Sequence, residues 1–428
     1  MPHNSRYMAT VLGIGTGLII ALLFLTYQFA IGPKDLQATV PALSAVTVGQ
    51  NKACVDCHQK KSPGVVSQYH ESKHSSKGVQ CLDCHTQAAG QKAMVTVHFG
   101  ASIVASPTPN NCVRCHEGAV KESAASKHGA KSWYSVEGAK DFTTAELATD
   151  HLLGPDGKPL NGGKANPVYN LIGAEAATAS CKVCHAIGKK NLDGSFGDCT
   201  KCHLRHTFGV AQAREPETCG QCHLGPDHPQ LEIYNESAHG AYYQANKEKF
   251  NMDAPPGTLT VKDFPAPTCA TCHMSAFGGV KGTHDVGARL KWTLQPPIAT
   301  VRVNAEKNRQ TMSAICLNCH NKTFIKDNLS AAEKVINVTN KNVEEGQAII
   351  DDLRKAGLMD KTAFKYPLDF TNFELWHHEG RRARYGAVMF GADYVNWHGV
   401  YEQKKALVEM RAKAAEMKAD AAALKASR

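Results

Sequence analysis

This 428-residue sequence has few aromatic residues, and it has no cysteine outside a repeated motif. Aromatic side chains make up 7% of the chain, which is low for a protein built on aromatic-packed β-structure. Charged residues reach only 20% while apolar residues reach 43%, so a mainly disordered chain is excluded. At about 100–200 residues per domain, the length suits two or three domains or one large one, enough to bury a sizeable core.

No cysteine stands outside a C-x-x-C-H motif. The sixteen cysteines form eight such motifs and none is left over. Because they are spread over the whole chain, a small disulfide-stapled domain is excluded. The motifs are Cys54-Cys57-His58, Cys81-Cys84-His85, Cys112-Cys115-His116, Cys181-Cys184-His185, Cys199-Cys202-His203, Cys219-Cys222-His223, Cys269-Cys272-His273 and Cys316-Cys319-His320.

The C-x-x-C-H motif is the attachment site of c-type haem. Its two thiols bond to the porphyrin vinyl groups, and its histidine ligates the iron from the proximal side. Zinc sites and thiol redox sites also use C-x-x-C, but zinc ribbons need no histidine after each pair, and a redox site uses one copy. We therefore expect eight covalent haems, with iron bound by these eight proximal histidines. The intervals between motifs are too short for independent cores, so the haems themselves are expected to form the core.

The formal net charge is 48 − 39 = +9, which alone would suggest an anionic partner such as nucleic acid. A ferric haem with two neutral histidine ligands carries a net charge of −1, so eight haems reduce the total to about +1. The basic side chains therefore balance the propionates, and we expect no nucleic-acid partner.

The N-terminus lacks charge over a long stretch. No charged residue lies between Arg6 and Lys34, and the apolar run Val11–Ile31 is long enough to cross about 30 Å of hydrocarbon. Arg6 on the short leading side follows the positive-inside pattern. No clear A-x-A site follows, which favours an uncleaved anchor over a removed signal peptide. Since bacterial haem attachment occurs outside the cytoplasmic membrane, we expect the body of the chain on the periplasmic side.

The remaining chain is expected to be mainly α with extensive irregular structure, a multihaem cytochrome c fold with long C-terminal helices. We assign residues 1–34 to the anchor, 35–50 to a linker, 51–325 to an octahaem-binding domain and 326–428 to a C-terminal helical region. Helical spacing of apolar residues predicts a helix over 330–356. A second helical stretch begins near Phe373 and continues past Gly399. Residues 404–427 have few apolar anchors and are expected to form a solvated helix or a fraying end. Residues 154–167 form a surface loop.

Thirteen further histidines could supply distal ligands to the iron. A haem-dense chain with few methionines near its motifs must take most sixth ligands from histidine. His3 precedes the anchor, and His151 adjoins the surface loop, so neither is assigned. His70 and His98 compete for one position. The favoured distal ligands are His74, His128, His206, His239, His284 and one of His377 and His378, of which we take His378.

Four segments between and after the motifs carry a family resemblance. They are GPDHPQLEIYNESAHG (225–240), APTCATCHM (266–274), GTHDVGARLKW (282–292) and ELWHHEGRRARYGAVMFGADYVNWHG (374–399). With the eight motifs, they make residues 50–405 resemble the octahaem hydroxylamine oxidoreductase family. The resemblance implies a helical homotrimer in which seven haems relay electrons. It also implies an open active-site haem at Cys181, Cys184 and His185, with Asp227 and His228 lining its distal pocket. The alternative for this pair is a loop Asp-His packed against a haem edge.

The direction of the chemistry depends on a tyrosine. In hydroxylamine-oxidising members of the family, a tyrosine from a neighbouring subunit is bonded to the active-site haem. The resemblance assigns this role to Tyr394, with Tyr385 as an alternative; a plain helix tyrosine is the other interpretation of Tyr394. A further family pocket tyrosine is replaced here by the Lys291-Trp292-Thr293 stretch.

The expected function is oxidation of a small nitrogenous substrate, hydroxylamine or hydrazine. Its electrons would pass to a cytochrome or a quinone-linked membrane protein. The first alternative is a nitrite or hydroxylamine reductase forming ammonium on the same scaffold. The second is a non-enzymatic electron conduit in which every haem has two histidine ligands.

Overall fold

Short helices connected by irregular segments carry the motifs, and long helices follow them. The computed structural model describes residues 46–427. Its α-helices in chain order are α1 Val46–Lys61, α2 Pro63–Glu71, α3 Lys73–Ser76, α4 Cys81–His85, α5 Pro109–Ala125, α6 Ala130–Glu137, α7 Thr144–Thr149, α8 Pro167–Ile172, α9 Ala174–Ala179, α10 Cys181–His185, α11 Val210–Arg214, α12 Pro216–Gly220, α13 Gln230–Glu236, α14 Ala238–Ala245, α15 Cys269–His273, α16 Ala305–Cys316, α17 Lys322–Lys355, α18 Pro367–Glu374, α19 Gly380–Met389, α20 Ala392–Val395 and α21 Tyr401–Ala426.

Strands in the described range are confined to two small antiparallel pairs. They are β1 Val95–His98 with β2 Ala101–Val104, and β3 Trp292–Thr293 with β4 Thr300–Val301. The first pair is a hairpin turned by Phe99 and Gly100, whose φ angles of 48° and 82° suit a two-residue turn with both centres left-handed. The turn fixes His98 at the end of β1. The predicted class, mainly α with much irregular structure, is confirmed.

Helices α17 and α21 build an apolar core with the segment between them. Asn321 caps α17 by accepting a hydrogen bond from the Phe324 backbone N–H, at 2.9 Å. The helix then runs for 34 residues with its apolar side chains at helical spacing. The buried cluster comprises Ile350, Leu353, Met359, Leu368, Leu375, Leu407, Met410 and Ala414. The helix predicted over 330–356 is therefore present as part of α17.

The second predicted helical stretch is interrupted. Helix α18 continues through a π-helical turn at Leu375–Glu379 into α19, which ends at Phe390 with a left-handed φ of 66°. After α20, another π-helical turn at Asn396–Val400 leads into α21. The first half of α21 is packed rather than solvated, because Leu407 and Met410 are fully buried.

The predicted anchor and most of the predicted linker lie outside the described residues. Within residues 46–427, no helix combines the length and apolar character needed to cross a membrane. Residues 154–167 form turns closed by a bridge between Leu153 and Pro159, with mostly exposed side chains. The domain boundaries stay predictions.

Candidate haem sites and the fourth-motif pocket

The residues of a motif form a single helical turn. Helices α4, α10 and α15 each consist of one whole motif, from its first cysteine to its histidine. In the fifth and sixth motifs, the backbone N–H of the histidine donates a hydrogen bond to the backbone carbonyl of the first cysteine at 3.0 Å. One turn places both thiols and the imidazole on one side, as covalent haem attachment requires.

Six motif histidines face a second histidine across a gap of constant width. Their ring centroids are 6.0–6.5 Å apart. An iron bound by two imidazoles through bonds of about 2 Å separates ring centres by this amount once half a ring is added on each side. The pairs are His58–His98, His85–His206, His116–His74, His203–His284, His223–His128 and His320–His239.

The motif histidines are also oriented for ligation. The Nδ1 atoms of His85 and His185 each lie 2.8 Å from a backbone carbonyl, those of Val104 and Ser132. Such a hydrogen bond fixes the tautomer and leaves Nε2 for a metal. Burial lowers the pKa of His223 to about 3 and that of His273 to about 4, which keeps both imidazoles neutral as ligands must be. The residues therefore fit haem.

The predicted distal ligands fall into two groups. His74, His128, His206, His239 and His284 each face a motif histidine, as does His98 rather than the exposed His70. His378 instead packs beside His377, with ring centroids 5.4 Å apart, and forms no ring pair with a motif histidine in the described range. The assignment of His378 stays a prediction, and so does the distal ligand opposite His273.

The thiols of different motifs are neighbours in a fixed order. Thiols of different motifs shift one another's pKa, which links the first motif to the second, the second to the third, the third to the fifth, the fifth to the sixth, the sixth to the seventh and the seventh to the eighth. The pairs are Cys54–Cys81, Cys84–Cys115, Cys112–Cys199, Cys202–Cys219, Cys219–Cys269 and Cys272–Cys316. The fourth motif contacts the sixth, through Cys184 Sγ and the Gln221 carbonyl at 3.9 Å, and the fifth, through Lys201 Nζ and the Val183 carbonyl at 3.4 Å.

Asp227 and His228 lie opposite the fourth motif. The ring of His228 is 6.3 Å from that of His185, and the two planes are nearly perpendicular at 83°. Its Nδ1 lies 2.7 Å from Asp227 Oδ2. The structure thus brings both predicted pocket residues to His185.

A charged and polar helix face completes this pocket. His377, Arg381 and Tyr385 are spaced four residues apart across the π-helical turn and α19. His377 Nε2 lies 3.8 Å and Arg381 Nη1 3.6 Å from Asp227 Oδ2. Tyr385 is 4% exposed; burial raises the pKa of its phenol, on which the charges of Arg381 and Asp227 also act. Burial raises the pKa of Asp227, but the hydrogen bond from His228 and the nearby His377 and Arg381 outweigh it, so the pKa lies well below its usual range.

Our sequence analysis missed the role of Arg381 in this pocket and named Tyr385 only as an alternative to Tyr394. The four-residue spacing of His377, Arg381 and Tyr385 was the available signal, because such residues share one helix face. His377 had been considered only as a haem ligand.

Tyr394 packs against His398. Its ring is 5.0 Å from that of His398, and burial, followed by the charges of Glu232 and Glu236, raises the pKa of its phenol. The side chain is half-buried. Tyr385 is therefore the tyrosine that the chain brings to its own pocket, while the role of Tyr394 across a subunit boundary stays a prediction.

Lys291 and Trp292, which stand where the family has a pocket tyrosine, have other contacts. Lys291 Nζ lies 2.9 Å from a carboxylate oxygen of Glu333. The side chain of Trp292 packs against the apolar cluster that contains Ile233, Leu294 and Tyr385.

Two protein families and one curated protein are similar to this chain in sequence. A family described as "Seven times multi-haem cytochrome CxxCH" matches residues 77–367, and one described as "Cytochrome c554 and c-prime" matches residues 34–86. A "Probable nitrite reductase-hydroxylamine oxidoreductase fusion protein" of Kuenenia stuttgartiensis is 24% identical over 352 residues, 73% of this chain and 39% of that protein. The chain thus spans well under half of that relative.

Two solved structures share the fold. A "Hypothetical multiheme protein" superposes with a TM-score of 0.74 at 23% identity, covering 87% of this chain and 96% of that one. A chain of the Kuenenia stuttgartiensis "reducing HAO-like protein complex" superposes with a TM-score of 0.65 at 20% identity, covering 90% and 88%.

Proposed function

The chain belongs to the multihaem cytochromes with repeated CxxCH motifs, and on that premise we propose that it is an oxidoreductase of small nitrogen compounds that reacts at the fourth motif. The observation that carries this proposal is the Asp227–His228 pair beside His185, in which Asp227 Oδ2 lies 2.7 Å from His228 Nδ1 and within 3.8 Å of His377 and Arg381. Bound at Cys181, Cys184 and His185, a haem would offer its iron to the substrate nitrogen and accept electrons. The other motifs would relay them.

The residues around Asp227 suit proton removal. Its carboxylate stays ionised and accepts the Nδ1 hydrogen of His228, which leaves Nε2 as a proton acceptor. Oxidation of hydroxylamine or hydrazine releases a proton with each electron. We therefore place oxidation first, with Tyr394 of a neighbouring subunit as the candidate cross-link to haem.

Reduction of nitrite or hydroxylamine to ammonium is the second candidate. Its support is Arg381, a buried cation 3.6 Å from Asp227 whose charge would attract an anionic substrate to the same pocket. A pure conduit has support as well, because the His185–His228 distance of 6.3 Å equals that of the two-histidine pairs.

Peptide mass spectrometry on the purified holoprotein tests the direction. The tryptic fragment after Arg384, which ends at Lys404, contains Tyr385 and Tyr394. If it travels with the haem peptide bearing Cys181 and Cys184, the cross-link exists and oxidation stands. A free, unmodified fragment moves reduction to first place.

Ligand binding separates an enzyme from a conduit. An open fourth site gives a high-spin ferric signal that cyanide or hydroxylamine converts to low spin. A fully low-spin protein that binds neither ligand contradicts the proposal in both directions.

We also propose the setting of the protein. Export follows from covalent haem, and Val11–Ile31 would hold the chain at the periplasmic face of the cytoplasmic membrane. A homotrimer would bring Tyr394 to a neighbouring pocket. A cytochrome or a quinone-linked membrane protein would exchange the electrons.

A further inference from the structure

Arg289 is a buried cation wrapped around the seventh motif. It is 2% exposed. Its Nη1 donates to the carbonyls of Thr271 and Cys272 at 3.2 and 3.0 Å. Its Nη2 donates to those of Met274, Ser275 and Lys281 at 3.2, 2.8 and 2.9 Å. Four of these five carbonyls belong to the motif or the two residues after it.

No carboxylate in residues 46–427 forms an ion pair with Arg289. Cations at two other motifs are neutralised. Lys182, inside the fourth motif, lies 2.6 Å from Glu137, and Arg309, near the eighth, pairs with Glu333. The charge beside the seventh motif is thus buried, and its partners in the described residues are backbone carbonyls rather than a carboxylate. A buried charge is screened weakly, so it acts strongly on its surroundings.

We propose that Arg289 raises the reduction potential of the haem at the seventh motif and makes it a collecting point for electrons. Adding one electron to a ferric haem lowers its charge by one, and a fixed positive charge nearby favours the reduced state. The proposal rests on haem attachment at Cys269 and Cys272, not on the proposed substrate.

The position of the seventh motif gives this role a purpose. Helix α12, which contains Cys219 of the sixth motif, contacts α15, and Cys269 packs against the apolar cluster that contains Ile315, the residue before Cys316 of the eighth motif. An electron arriving at the sixth motif therefore meets a more oxidising site on the way to the eighth. The haem of the eighth motif would then receive its electrons from the reduced haem of the seventh.

A redox titration of the holoprotein, followed by its haem absorbance, tests the proposal with Arg289→Gln. One one-electron component is expected to move to lower potential. At the wild-type midpoint, its reduced-to-oxidised ratio falls at least about tenfold, equal to ~59 mV for one electron. Arg289→Lys keeps the charge and is expected to keep this component within about threefold.

Arg214→Gln is the matched control. Arg214 is also buried and donates to two carbonyls, of Met252 and Ala254, at 2.6 and 2.7 Å, but outside any motif. Its titration should overlay that of the wild type. A shift as large in Arg214→Gln, or an unchanged curve in fully haem-loaded Arg289→Gln, overturns the proposal.

A second variant tests the proposal in case Arg289→Gln does not fold with its full set of haems. If Arg289→Gln binds less haem per chain, Ser275→Asp adds a carboxylate beside the intact guanidinium, since the Ser275 carbonyl is 2.8 Å from Nη2. The same component should move in the same direction by a smaller amount. A loaded Ser275→Asp protein with the wild-type curve contradicts the role of Arg289.

Discussion

At the scale of single residues, Asp227 stays charged while it is largely enclosed. His228, His377 and Arg381 surround one of its oxygens within 3.8 Å, and their combined attraction outweighs the cost of burial. A carboxylate held in this way orients the imidazole that it accepts from.

Replacement of this carboxylate should impair turnover without removing haem. We expect Asp227→Asn to lower the kcat for hydroxylamine about 10²-fold, because an amide no longer supports His228 as a proton acceptor. Asp393→Asn is the matched control, since Asp393 lies 3.1 Å from His398 at an exposed site. Steady-state kinetics at equal haem content measures both. Equal losses in the two variants would show that the position of Asp227 carries no special role.

Each histidine that faces a motif histidine can be tested separately as a distal ligand. His239→Ala should free the sixth position opposite His320, whose ring is 6.0 Å away. The ferric protein then gains a high-spin component, seen by electron paramagnetic resonance, and binds cyanide there. The exposed His151 serves as the control, and His151→Ala should leave the spectrum unchanged. An unaltered spectrum in His239→Ala would refute the assignment of His239.

At the scale of elements, the C-terminal helices show what sequence periodicity can and cannot predict. The repeat of apolar residues predicted α17 because a long amphipathic helix follows one local rule. The same approach missed the π-helical turns and the break at Phe390, since those depend on packing against other elements. It also underrated α21, whose few apolar residues suffice because Leu407 and Met410 point into one cluster.

The site divides in the same manner. Motif spacing predicted the attachment residues. Five of the six histidines that face a motif histidine were among the favoured distal ligands, while the sequence left the choice between His70 and His98 open. Arg289 gave no sequence pattern, because its partners are backbone carbonyls 8 to 18 residues away in the chain. Contacts of that kind are decided by tertiary structure alone.

The packing of α21 can be tested by one truncation. Leu407 is fully buried between α17 and α18, so Leu407→Ala should cost about 2–5 kcal/mol of unfolding free energy. Its neighbour Val408 is 60% exposed, and Val408→Ala should change this free energy by less than about 0.5 kcal/mol. Denaturant unfolding followed by helical circular dichroism compares them. Similar costs at both positions would mean that α21 is not docked.

At the scale of the whole molecule, the net charge depends on the number of haems bound. The polypeptide alone has a net charge of +9 and a pI near 8.7. Eight haems would bring the net charge to about +1, so the holoprotein should focus well below the apoprotein. Isoelectric focusing of haem-stained bands measures this. A holoprotein that focuses at the polypeptide value would mean far fewer haems.

The neighbour order of the motif thiols has a consequence for how the molecule would be wired. The fourth motif contacts both the fifth and the sixth, in the middle of a series whose ends are the first and eighth motifs. If the proposed reaction occurs at the fourth motif, its electrons would enter this series between the two ends and would have two exits. Two different partners would then be supplied from one pocket through different motifs.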